Sequence, residues 1–185
     1  MADLAAAIAA DAQSSEHESD SKVRSQLADD AMRNAKACME RDPHAATCLY
    51  GRAIGLGLQA RAHPADAIGL LNDMLRDLGS AEDADPNLDQ AGPSRVRALV
   101  LLRAPSWPLG PGDADSGLEW ARRAVMLQPQ YPPNLLALAE ALTKTGDPKG
   151  AAENYTKART LAEGSPASAD RDEWLRQADE GLRRR

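Results

Sequence analysis

The sequence predicts an all-α protein, a stack of three helical hairpins with a flanking N-terminal helix and a C-terminal capping helix. Alanine and leucine dominate the 185 residues and phenylalanine is absent, which favours helix over strands built from β-branched and aromatic residues. Pro43, Pro86 and Pro129 each follow an amphipathic run and lie 43 residues apart. A proline just past a helix cannot continue it, so each marks a turn in an array of repeated helical units.

The elements follow in chain order. Residues 1–21 are expected to be a weakly ordered segment, because the acidic, serine-rich run Ser14 to Ser21 has too little apolar surface to offset the entropy of ordering it. The remainder, 22–185, is expected to be a single helical-repeat domain. Lys22 to Arg41 is a helix without a repeat partner. Ala46 to Arg61 and Pro64 to about Ser80 make the first hairpin, 46–80, with Ala53 and Leu56 inward. Pro93 to Ala104 and Asp115 to Leu127 make the second, 93–127, with Gly117, Ala121 and Ala124 in the small positions. The cap, 170–183, places Trp174, Ala178 and Leu182 on one face to shield the last apolar surface.

The third hairpin, 132–163, has the clearest pattern. Pro132 and Pro133 open a helix, where a missing N–H costs little. Leu135, Leu138, Ala139 and Leu142 form one stripe, Gly146-Asp147-Pro148 stops and restarts the chain, and Ala151, Tyr155 and Ala158 recur at helical spacing. This unit resembles a tetratricopeptide repeat at Leu138, Ala139, Gly146, Ala151, Tyr155 and Ala158. Leu135 stands where such repeats usually carry tryptophan.

Composition excludes several classes of function. The net charge is −6, and residues 1–30 hold seven acids against two bases, so no basic track for nucleic acid exists. Arg183 to Arg185 read as a solvated helix end. No apolar run reaches the roughly 20 residues that span a bilayer. His17, His44 and His63 share no helical face with a carboxylate and a nucleophile, and no phosphate-binding glycine loop occurs, so the reading is a non-enzyme without cofactor. His44 with Cys38 and Cys48 gives three candidate ligands where structural zinc takes four, so no metal is expected.

Cys38 and Cys48 lie five residues either side of Pro43. Equal distances from a hairpin turn put both at one height on facing helices, within reach of a disulfide; the alternative is two buried thiols. A bridge implies an oxidising compartment. Leu4 to Ala10 lacks the basic residues of a secretory signal. Either an export signal has been removed before Met1, or the protein is cytoplasmic and begins there.

RAPSWPLGPGD, Arg103 to Asp113, joins the helices of the middle hairpin. Prolines at every third position suit polyproline II and a stiff, defined shape. Trp107 in this loop either plugs a gap over the hairpin, forms a lip over a binding surface, or belongs to a proline-rich ligand for a partner. In helical-hairpin repeats the first helix of each pair lines the concave face, which here offers Tyr50, Arg95 and Glu140. The binding expectation places Trp107 at the mouth of a groove framed by Arg95 and Arg103 from one hairpin and Asn134 and Glu140 from the next, with the arginines suited to a carboxylate.

The stretch AGPSRVRALVLLRAPSWPLGPGDADSGLEWARRAV, followed by YPPNLLALAEAL, resembles the T-component proteins of tripartite ATP-independent periplasmic (TRAP) transporters. CLYGRAIGLGLQARAHPADAIGLL fits the first hairpin of that group. The resemblance spans residues 48–163 and touches Arg95, Arg103, Trp107, Pro108 and Asn134. It implies a periplasmic tetratricopeptide-type protein, lipid-anchored in its full-length precursor. Such a protein assembles with a substrate-binding protein as partner and holds a small hydrophobic ligand. The alternative function is a cytoplasmic tetratricopeptide-type adaptor that grips a protein partner. An acidic ligand and a homo-oligomer are compatible with either.

Overall fold

A computed structural model describes residues 2–183, which form nine helices and no strand. They are α1 (Ala2–His17), α2 (Ser21–Arg41), α3 (Ala46–Ala62), α4 (Ala67–Ala84), α5 (Leu88–Arg103), α6 (Ala114–Leu127), α7 (Pro132–Lys144), α8 (Pro148–Glu163) and α9 (Ala169–Arg183). The expected solvated end at Arg184 and Arg185 lies outside the described residues. The three hairpins are α3–α4, α5–α6 and α7–α8, and α9 is the cap.

The 43-residue proline spacing marks one turn built three times. Asp42 and Asp85 end their helices in extended conformations, both with φ −153°, and Gln128 ends its helix nearby at φ −137°, ψ 77°. Each donates its N–H to the carbonyl four residues back, and each carbonyl accepts the N–H three residues on. Pro43, Pro86 and Pro129 occupy the second residue of that turn, where their missing N–H leaves no hydrogen bond unmade.

The chain is organised as two compact units, where the sequence suggests one repeat domain from residue 22. One unit comprises residues up to Leu88 with Pro108–Pro111, the other Asp89–Trp107 with the residues from Gly112 onward. In the first, residues 2–17 are a helix that packs on α2 and α3. Its Ile8 is 1% exposed and meets Ala31 and Ala35 of α2. Close approach is set by α3. A Cβ at Gly51 would stand 2.8 Å from Ile8, and one at Gly55 2.8 Å from the Met32 sulfur; both are too short for real side chains. Cys38 of α2 and Cys48 of α3 are fully buried and joined in a disulfide, their Cα atoms 5.3 Å apart. Arg52 of α3 donates through Nε and Nη2 to the buried Asp77 carboxylate of α4, at 2.6 and 2.5 Å. Helix α4 starts at Ala67, three residues after the expected Pro64, because 64–66 form a turn.

The second unit has two apolar clusters. Ala98 and Leu102 of α5, Ala121 of α6, Leu138, Ala141 and Leu142 of α7 and Ala151 of α8 form one. Leu135 and Leu136 meet Ala158 and the cap's Ala178 in the other, with Trp174 packed against it. Deletion of one such leucine side chain costs about 2–5 kcal/mol, so these contacts rather than helix propensity hold the hairpins together.

Candidate interaction surface

Helix α5 does not begin as a right-handed helix. Asp89, Gln90 and Ala91 hold φ of 48°, 55° and 64°, a left-handed turn made without glycine. Each such residue costs about 1–2 kcal/mol, so side chains must compensate. Arg95 does so from one turn into the helix. Its Nη1 donates to the carbonyls of Asp89 and Gln90, both at 3.2 Å, and to Asn134 Oδ1 at 3.1 Å. Its Nη2 donates to the Asp89 carboxylate at 2.8 Å. Asn134 is fully buried, and its Nδ2 donates to the carbonyls of Gln90, Ala124 and Gln128 at 3.0–3.2 Å.

This geometry places two residues of the expected groove inside the fold. Arg95 is 9% exposed and Asn134 0%, and their polar atoms are taken up by the chain's own backbone. They hold the entry to α5. Tyr131 completes the cluster, with the Arg95 guanidinium 5.1 Å from its ring centroid and Trp174 edge-on at 5.7 Å. Burial pushes its phenol up; the charges of Asp89 and Asp170 add to this and that of Arg95 opposes it.

Arg103 and Glu140 do meet. Arg103 donates through Nε and Nη2 to the Glu140 carboxylate, at 3.1 and 2.7 Å, in an exposed two-point pair across α5 and α7. Such a pair contributes about 0–1 kcal/mol and leaves both side chains on the surface. Below it, Lys144 Nζ donates to the Leu102 carbonyl at 2.5 Å, closing the C-terminal end of α5 where cations are favourable. Tyr50 lies partly buried on α3, in the other compact unit.

The proline loop is not an extended polyproline arm. Gly112 N–H donates to the Pro105 carbonyl at 2.8 Å, and Asp113 N–H to Leu101 at 2.9 Å, so the loop closes on itself between Ser106 and Gly112. A Cβ at Gly112 would collide with the Ala104 carbonyl, so closure requires glycine there. Asp113 then starts α6, accepting from the Ser116 N–H at 3.0 Å and from its hydroxyl at 2.8 Å. Those bonds lower its carboxyl below the ordinary value. Trp107 stands out from this closed loop with 87% of its surface exposed, and Leu109 with 71%. The tryptophan therefore fills no gap over the hairpin and presents its ring to solvent.

Sequence reasoning missed the left-handed turn and its two clamps. The one local signal was the absence of helical periodicity in Asp89-Gln90-Ala91, directly before Gly92-Pro93. Among the described residues, no helix is long and apolar enough to cross a membrane. Among the described residues, no group of three or more histidines, cysteines and acids gathers as a metal site.

No family model and no curated protein matches the chain. Solved structures do. TTC0263, a thermophilic tetratricopeptide-repeat protein of Thermus thermophilus, is 22% identical with a TM-score of 0.60, covering 89% of this chain and 84% of its own. MamA is 17% identical with a TM-score of 0.52, covering 85% of this chain and 90% of its own. The fold is thus a tetratricopeptide-like, all-α helical repeat.

Proposed function

We propose that the chain is a periplasmic, non-catalytic accessory component of a TRAP-type solute transport system, a helical-repeat scaffold that docks a substrate-binding protein. One observation carries this reading: Trp107 stands 87% exposed on a loop closed by its own hydrogen bonds. Water-exposed tryptophan is unfavourable in isolation, and tryptophan is among the residue types most enriched at binding hot spots. A closed loop with three prolines has little entropy left to lose on contact. The Arg103–Glu140 pair, which begins where the loop leaves α5, supplies the polar rim such a contact uses. The RAPSWPLGPGD resemblance supports the transport setting. The Cys38–Cys48 disulfide supports an oxidising compartment, with lipid anchoring of the precursor following from the same resemblance.

The test is in vivo photo-crosslinking from position 107 of the full-length protein, followed by identification of the captured chain. Capture of a substrate-binding protein of a tripartite transporter is expected. Capture of cytosolic proteins, with Cys38 and Cys48 reduced in the cell, would instead establish the adaptor reading.

A further inference from the structure

Trp120 of α6 carries two guanidinium groups on its ring. Arg97 Cζ lies 4.1 Å from the ring centroid and Arg123 Cζ 5.9 Å. Arg97 is two residues beyond Arg95 on α5, about 200° around the helix, and its situation is the opposite one. Arg95 spends its donors on the chain. The Nε of Arg97 is buried without any hydrogen-bond partner, and no carboxylate of the described residues is paired with its guanidinium. A guanidinium has donors only, so what it lacks is an acceptor. Stacking on the indole fixes the plane of the fork and leaves its in-plane N–H groups as the means of contact. The Nη groups at the open end of the fork, rather than the buried Nε, are what a carboxylate can reach, and the two together match its two oxygens.

We propose that Arg97, held flat on Trp120 with Arg123 on the same ring, is a docking point for a carboxylate side chain of an acidic protein segment. The surface favours a segment over a small free acid. Arg122 and Arg123 are exposed and Trp120 only partly buried, so the site is open, and an open site holds a single carboxylate weakly. A run of acids gains from the added positive charge of Arg122 and Arg123 on the same helix as Trp120, with Glu119 one residue before Trp120 limiting the footprint to that side. This site depends neither on the transport reading nor on the proline loop.

The experiment is a titration of the 15N-labelled protein with a hexaglutamate peptide at low ionic strength, followed at the Arg97 Nε–H and Trp120 indole N–H resonances. Both should shift and saturate. Arg97→Gln should weaken binding about tenfold, the scale of one charge-assisted two-point contact. Arg97→Lys, which keeps the charge and loses the fork, should also weaken it and shows that the effect is not misfolding when its melting curve matches the wild type. Arg61→Gln, on the exposed end of α3, should change nothing. Absent shifts, equal binding by Arg97→Gln, or equal loss in Arg61→Gln would overturn the proposal. So would succinate saturating the same resonances as tightly as the peptide, which would make this a small-acid site.

Discussion

Gln90 is the clearest place where a single side chain is at odds with its backbone. It holds φ 55° between Asp89 at 48° and Ala91 at 64°, and its own side chain is exposed. Glycine adopts that conformation without the Cβ clash. Gln90→Gly is therefore expected to be neutral or to stabilise by up to about 1 kcal/mol, the relief partly offset by the freer unfolded chain. Ala152→Gly on the exposed face of α8 should lose about 1 kcal/mol. Urea unfolding of both variants checks the contrast. Asp11 is a second residue under tension. Its Oδ2 is buried without a partner, and burial raises its carboxyl above the ordinary 3.8 while the Arg33 charge works the other way. The folded state therefore binds this proton more tightly than the unfolded one, and the ionised carboxylate weakens the fold above its raised pKa. That penalty fades as pH falls toward 3.8. Asp11→Asn should raise the melting temperature at about pH 7 and lose that advantage near about pH 3.

Helix α1 is formed, yet Ile8 is the one large apolar side chain it buries completely among the described residues. Helix α7 buries Leu135, Leu136, Leu138 and Leu142. Local opening follows the density of such contacts, so amides of Ser14 to Ser21 should exchange with deuterium much faster than those of Leu135 to Leu142. Equal protection would show that α1 is held as firmly as the core. These elements also show which information is local. The three proline turns and the α7–α8 hairpin were legible because a missing N–H, a Gly-Asp-Pro stop and a leucine stripe act within a few residues. The left-handed entry to α5 was not, because its clamp comes from Asn134, 44 residues beyond Gln90. For the same reason Arg95 and Asn134 read as groove residues: an arginine and an asparagine at a helix surface look alike until their distant partners are known. The disulfide was legible from its symmetry about Pro43. The loop's stiffness was legible too, but not its closure, which depends on the Gly112 N–H reaching the Pro105 carbonyl and the Asp113 N–H reaching that of Leu101.

The chain as a whole is a pair of compact units with one covalent staple, the Cys38–Cys48 bridge in the first. Cross-linking residues 10 apart removes unfolded-chain freedom equivalent to about 3 kcal/mol. Urea unfolding with and without reductant should differ by about 2–3 kcal/mol, the reduced form being weaker, and an oxidising compartment would keep that contribution in place. The function proposed for this architecture rests on a loop that contributes little to its stability. An 87% exposed ring has almost no burial to lose, whereas a core tryptophan cut to alanine costs about 3–5 kcal/mol. The decisive measurement is therefore melting and partner capture on the same variant, Trp107→Ala, with the partner under the proposed function, a substrate-binding protein of a tripartite transporter, offered for capture. The expected result is a melting temperature within about 2 °C of wild type together with loss of capture. Undiminished capture, or a large fall in melting temperature with normal binding by the protein that remains folded, would contradict it.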